Sequence, residues 1–307
     1  MLLNLFSFVK RTLIYYHLAM TQILVASPIK KKITKELKAE CKLLKERNVT
    51  PFLKVILVGH DPASVVYTTN KKKFCEKVGA KCEIIELPET ISEKDFINVL
   101  NDINKDKNVH GCIIQLPLPL QLTHLDVGTL INKDKDVDGF HPENLYSILR
   151  GQYTPLDFVS CTPKGIITLL KAYEIPLAGK NVVIIGRSMI VGKPLSMLLT
   201  NENATVTLAH SKTENLKELT KKADIIVCAL GKANFLDRSF LNSSNNQIVI
   251  DVGINKDGEG NMFGDANYSD IFDHVQAITP VPGGIGPMTI VSLVQNLLQA
   301  AKKEISI

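Results

Sequence analysis

The stretch "DPASVVYTTNKKKF" (61–74) places a tyrosine ahead of three consecutive lysines. Wound as a helix at about 100° per residue, residues 63–78 bring Tyr67, Lys71, Phe74, Cys75 and Val78 onto one face. Lys72, Lys73 and Lys77 then point elsewhere, so Lys71 alone enters the apolar stripe, one turn after Tyr67. Two readings of Lys71 stand at this point. Its stem can pack while the ammonium reaches water. Alternatively it is desolvated, and burial moves a lysine toward use as a general base near neutral pH. Tyr67 would then orient it or stack on a flat substrate.

A second candidate is "VVIIGRSMIVGKP" (182–194), where an apolar strand runs into a helix as in a dinucleotide-binding unit. Only Gly186 and Gly192 are present, so the G-x-G-x-x-G pattern is missing. A P-loop is excluded too, because five residues separate the glycines and Pro194 follows Lys193. The motif alone suits a plain strand–turn–helix or a nucleotide site. The next strand says more. NAD sites carry an acidic residue near its end for the ribose hydroxyls. Here it ends "LAHSKT" (208–213), with no acid. Arg187 in the loop and Ser211 at the strand end suit a 2′-phosphate, so a cofactor here would be NADP rather than NAD.

Other signals fail. "DKDVDGF" (134–140) starts like a calcium loop, but the twelfth position, which needs Glu, is Leu145. A turn is the default for it. "ITPVPGGIGPMT" (278–289) is either a connector or a backbone that lets a ligand approach closely. The seven histidines lack metal-ligand spacing, so no metal site is expected.

The elements that must position these groups alternate. Ile33, Leu37, Cys41 and Leu44 mark a helix over 30–47. Strands are expected at 52–59, 81–88 and 109–119, with helices at 63–78 and 92–106, the latter capped by Ser92. The second half repeats the rhythm, with strands at 180–186, 204–210, 223–231 and 247–254, a helix opening at 192–200 and another over 289–302. Such alternation gives an α/β fold of parallel sheets covered by helices. The 307 residues favour two domains, with the boundary in the turn-rich stretch 150–163.

Composition excludes some classes. A 45% hydrophobic, 22% charged chain builds an ordinary globular core. The net charge of +5 suits small anions, and it is too small and spread out to argue for nucleic acid. The splayed lysines 71–73 lack the aromatic platform that single strands need. Six cysteines without a C-x-x-C pair read as reduced, buried thiols of a cytoplasmic protein. Residues 1–19 are apolar but broken by Lys10 and Arg11, too short for a membrane span. They read as an N-terminal extension without a structural role, a targeting sequence being the minority reading, and Met20 looks like the more natural start.

Taken in order, "DPASVVYTTNKK", "GCIIQLPLPL", "KDVDGFHPEN", "CTPKGI", "IIGRSMIVGKP", "HSKT", "IDVGIN" and "ITPVPGGIGPMT" resemble the bifunctional methylenetetrahydrofolate dehydrogenase / methenyltetrahydrofolate cyclohydrolase family over residues 50–302. Each motif alone is weak; the ordered set is specific. The resemblance implies two α/β domains with a cleft between them, the second a Rossmann-like NADP-binding domain, and usually a homodimer. The domains fall at 20–158, folate-binding and catalytic, and 159–287, NADP-binding, with the C-terminal helix 288–307 returning to the first. The implied reactions are NADP-dependent oxidation of 5,10-methylenetetrahydrofolate and hydrolysis of the methenyl product to 10-formyltetrahydrofolate, both in one folate site. Carried over by motif, Tyr67, Lys71, Gln115 and Asp138 are the catalytic set, and Pro282 and Gly283 line the folate with them. Gly186, Arg187, Ser188, Ser211 and Ile254 match the cofactor contacts.

The chain departs from the family in "LVASPIKKK", where "IDGK" is usual, with altered packing as the expected effect. Ser160 replaces the proline of "PCTP", and a looser hinge is expected there. Lys71 would pass a proton between water and a ring nitrogen, with Gln115 bonding the lysine or the nascent oxygen and Asp138 accepting from pterin N–H groups. The competing readings are a monofunctional dehydrogenase and a non-catalytic nucleotide-binding protein on the same fold. A pure binder needs neither Lys71 in the stripe nor Asp138 in its motif.

Overall fold

A computed structural model describes residues 20–305 apart from 152, 153, 155 and 156. The expectation for residues 1–19 lies outside the described residues. In chain order the elements are β1 (Gln22–Ile23), α1 (Ser27–Glu46), β2 (Phe52–Val58), α2 (Pro62–Val78), β3 (Lys81–Leu87), α3 (Glu93–Lys105) and β4 (Gly111–Ile114). Then follow α4 (Pro142–Leu149), α5 (Cys161–Ala172), β5 (Asn181–Ile185), α6 (Gly192–Asn201), β6 (Thr205–Ala209), α7 (Leu216–Lys222), β7 (Ile225–Cys228) and β8 (Ile248–Asp251). A small hairpin, β9 (Asn255–Lys256) and β10 (Met262–Phe263), precedes β11 (Ala277–Ile278) and α8 (Ile285–Lys302).

Local chemistry sets these boundaries. β2 reads "FLKVILV" and is buried except at Lys54, as a strand covered on both faces must be. α2 starts where the Asp61 carboxylate accepts from Ser64 N at 2.8 Å and Pro62 fills the first turn. It stops at Gly79, whose φ of +103° is the left-handed cap that glycine supplies. Ser92 caps α3 as expected, accepting from Asp95 N. The strand expected over 109–119 ends at Ile114, because Pro117 and Pro119 have no N–H to give a ladder. α8 begins a turn before residue 289. Pro287 sits in its first turn, where a missing N–H costs no helical bond.

β2 lies between β3 and β4 in one parallel sheet. The other sheet runs β1-β11-β8-β7-β5-β6, all parallel. From β5 the chain goes to β6 on one side and then to β7 on the other. Order reverses there, and such a switch point opens a crevice at the strands' C-terminal ends. A single buried cluster joins Leu53 and Val55 of β2, Val294 and Leu297 of α8, and Val182 and Ile184 of β5. α8 packs on α5, α1 and β2, so the last helix ties the second half to the first. β1 belongs to the second sheet, pairing Gln22 with Ala277 and Ile23 with Ile278. All six cysteines are free and buried.

Candidate active site

α2 carries Tyr67 and Lys71 to a cavity of about 730 Å³, which Gln115, Pro282, Gly283 and Ile254 also line. Lys71 Nζ donates to Gln115 Oε1 at 3.0 Å. Gln115 follows β4, and its backbone N donates to Ile56 O at 2.9 Å, so the β2–β4 ladder fixes it. Its Nε2 donates to Leu116 O at 2.7 Å, which leaves Oε1 turned toward the lysine. Tyr67 is half-buried, and burial pushes its hydroxyl above the ordinary range, keeping it protonated.

The "DKDVDGF" turn divides its carboxylates. Asp136 is buried and accepts from Gly139 N at 3.1 Å, His141 N at 2.6 Å and Asn144 Nδ2 at 2.9 Å. It holds the turn, and burial raises its pKa to about 6. Asp138 is not on the cavity wall. Burial raises its carboxyl; the charge of Lys71 and a bond from the Cys161 thiol pull the other way. Lys71 thus acts electrostatically on Asp138 while bonded to Gln115.

The Pro280–Gly284 loop also lines the cavity. Gly283 has φ +110°, and Gly283 O accepts from Ala26 N at 2.9 Å. Asp251, at the end of β8, also lines the cavity, though the sequence motif did not single it out. It accepts from Gly253 N, Asp265 N and Ala266 N at 2.8–3.0 Å, and burial raises its pKa to about 6. A side chain at Gly253 would collide with Asp265, and one at Gly264 with Asp251. This interlock sets the path of the loop that ends at Ile254. Its only sequence signal was an aspartate ending a strand before a glycine.

The candidate nucleotide loop joins β5 to α6. Gly186 has φ +128°, and a Cβ there would collide with Ala229 O; a Cβ on Gly192 would collide with Gly186 O. Only glycine permits this tight turn at the switch point. Ser188 Oγ accepts from Val191 N at 3.1 Å. Arg187, Ser188 and Ser211 are exposed. Register pairs Ile185 with Ala209, so Arg187 and Ser211 each follow by two residues the ends of adjacent strands. A cradle of backbone with a free guanidinium and hydroxyl fits a nucleotide bearing a 2′-phosphate. Gly186, Arg187, Ser188 and Ser211 stand outside the cavity wall, but Val191 of the same loop and Ile254 are on it.

Three expectations change. Lys73 and Lys77 do not point away; both line the cavity with Lys71, because α1 and the 280–284 loop wrap that flank of α2. The "LVASPIKKK" segment does more than pack, since Ala26 bonds the folate-loop candidate Gly283 and Lys30 reaches the cavity. Ser160 tightens its junction: it is fully buried, and its Oγ donates to Gly139 O at 2.8 Å.

The tetrahydrofolate dehydrogenase/cyclohydrolase catalytic-domain model matches residues 24–138, and the NAD(P)-binding-domain model of the same family matches residues 160–305. This chain belongs to the tetrahydrofolate dehydrogenase/cyclohydrolase family. Bifunctional protein FolD of Ligilactobacillus salivarius is 44% identical over 284 residues, 92% of this chain and 98% of its own. The crystal structure of the Campylobacter jejuni bifunctional enzyme FolD superposes with a TM-score of 0.88 at 41% identity, covering 92% of this chain and 99% of that one. The Trypanosoma brucei dehydrogenase-cyclohydrolase, complexed with NADP cofactor and inhibitor, gives a TM-score of 0.86 at 30% identity, covering 94% and 99%.

Proposed function

We propose that this tetrahydrofolate dehydrogenase/cyclohydrolase is bifunctional. It oxidises 5,10-methylenetetrahydrofolate with NADP+ and hydrolyses the 5,10-methenyl product to 10-formyltetrahydrofolate. The observation that carries the reading is the Lys71–Gln115 bond of 3.0 Å on the wall of a cavity that Pro282 and Gly283 also line. NADP+, when bound, supplies the hydride acceptor. Gly186, Arg187, Ser188 and Ser211 would hold it, with Ile254 at the cavity edge. The cavity orients the folate, with Tyr67 presenting its ring to the flat pterin; Asp138, which lies behind the cavity wall beside Lys71, accepts from pterin N–H groups once the ring reaches past that lysine. In hydrolysis, water adds to the methenyl carbon. Lys71 Nζ takes a proton from that water and returns one to the ring nitrogen that leaves. Gln115 keeps the lysine aimed at this point.

A homodimer is part of this reading: among the described residues β3 pairs only with β2, and its outer edge is a place where a second copy can add. The free, buried thiols support a cytoplasmic setting. Among the described residues no helix is long and apolar enough to cross a membrane.

The testing variant is Lys71→Met. Hydrolysis of methenyltetrahydrofolate should fall by about a hundredfold or more, the scale of a lost general acid–base group, while the NADP+ dissociation constant stays within about twofold. Hydrolysis at the wild-type rate would remove Lys71 from the mechanism.

A further inference from the structure

Asp265 is a fully buried carboxylate without a part in that chemistry. It follows the β9–β10 hairpin and sits between two loops, those that leave the C-terminal ends of β7 and β8. Its Oδ2 accepts from Leu230 N at 2.6 Å and Gly231 N at 2.9 Å. Its Oδ1 accepts from Lys232 N at 2.8 Å and Asn255 Nδ2 at 3.0 Å. Three successive backbone N–H groups, with Gly231 at φ +64°, make a concave nest that attracts an anion. The chain fills it with its own carboxylate, so the nest fixes a loop rather than a ligand. The segment that carries Asp265 is pinned in turn. Asp265 N donates to Asp251 Oδ1 at 2.9 Å, and Asp265 O accepts from Leu236 N at 3.0 Å.

Both loops border the nucleotide crevice. Ala229 O lies so close to the Gly186 turn that a Cβ on Gly186 would collide with it, and Leu230 follows directly. Ile254, next to Asn255, lines the cavity. A dinucleotide laid on a switch point crosses from one side of it to the other. With its 2′-phosphate at Ser211, after β6, and its pyrophosphate on the Gly186 turn, after β5, the remaining half runs over the ends of β7 and β8. It then lies between the two loops that Asp265 ties together. We propose that Asp265 is a positioning residue for hydride transfer: by holding the 230–232 loop and Asn255 in one frame, it sets the channel for the nicotinamide half of the cofactor. This rests on the nucleotide reading of the Gly186 turn. Being fully buried, Asp265 acts through the two loops and not by touching cofactor or folate.

The test sets Asp265→Asn and Asn255→Ala beside the wild type. An amide at position 265 keeps one acceptor oxygen and turns an NH2 toward N–H groups that need an acceptor. Asn255→Ala removes one bond from a half-buried side chain and leaves the carboxylate in its nest, so it tests the frame even where Asp265→Asn folds poorly. Calorimetry reads the dissociation constants of NADP+ and of adenosine 2′,5′-bisphosphate, which lacks the nicotinamide half. Kinetics read kcat/KM for oxidation of methylenetetrahydrofolate and for hydrolysis of methenyltetrahydrofolate, a step that needs no cofactor. In Asp265→Asn, NADP+ binding and oxidation should each weaken by about tenfold or more, the scale of hydrogen bonds to a buried charge left unmade. Bisphosphate binding should stay within about twofold of wild type and hydrolysis within about threefold. In Asn255→Ala oxidation should fall by about threefold, with hydrolysis unchanged. Oxidation and hydrolysis falling together would mark a general structural role and overturn the proposal. So would bisphosphate binding that weakens in step with NADP+. Unchanged oxidation in Asp265→Asn, or in Asn255→Ala where Asp265→Asn yields no folded protein, also overturns it. A wild type that binds neither nucleotide ends the nucleotide reading itself, and the proposal with it.

Discussion

Gln115 can only accept from Lys71, because an ammonium offers no acceptor, and its Nε2 meanwhile donates to Leu116 O. A side-chain amide fixed at both ends is a rigid guide, and it holds a flexible four-carbon lysine stem in one place. Arg187 is the opposite case: exposed, on a tight glycine turn, beside the end of the neighbouring strand. There a guanidinium acts as a fork for phosphate. Arg187→Ala should raise the KM for NADP+ about tenfold or more and leave that for NAD+ nearly unchanged, as steady-state kinetics with each cofactor would show. An equal rise for both would place Arg187 on a part of the nucleotide that the two share.

Among the elements, the junction between the two sheets depends on a short list of buried polar contacts. Ser160 Oγ donates to Gly139 O, and Asn296 Nδ2 of α8 donates to Val137 O and Val159 O at 2.8 and 2.9 Å. Ser160→Ala leaves one of those bonds unmade in a dry site and should lower stability by about 1 kcal/mol in urea melts. An unchanged melt would mean that Gly139 O finds another donor. The strands β2, β5, β7 and β8 were legible in sequence because burial on both faces writes a continuous apolar run. Lys71 was legible because its face of α2 is periodic. Lys73 and Lys77 were misplaced because a single-helix projection does not include α1 and the 280–284 loop. β1 was missed because two residues make no pattern. Asp251 showed only as an aspartate ending a strand, since its partners Asp265 and Ala266 follow 14 and 15 residues later, beyond any local pattern.

For the whole molecule, Asp136 and Asp251 leave a signature in stability against pH. Each carboxyl has a pKa of about 6 when folded, against an ordinary value of 3.8. The folded chain therefore binds these protons more tightly than the unfolded one. Below the ordinary value both states are protonated and the two groups cost nothing. The cost grows as pH rises through the window between 3.8 and about 6, and is full above it, at about 3 kcal/mol per group as an upper figure. Asp61, Asp106, Asp157, Asp237 and Asp257 are shifted down, so their contribution is lost as pH falls below the ordinary range. The melting midpoint should peak between about pH 4 and 6 and drop by a few degrees by about pH 7.5, as a calorimetric scan would read. A midpoint that climbs steadily through that window would mean that the two buried carboxyls are charged at no cost. The whole cavity, with folate wall, nucleotide edge and the Lys71–Gln115 pair, answers most directly to a progress curve with methylenetetrahydrofolate, run once with NADP+ and once with NAD+. The expected result is NADPH formation with little build-up of the methenyl intermediate, and slow turnover with NAD+. Methenyl accumulating with NADP+, or no turnover at all, would contradict a bifunctional site.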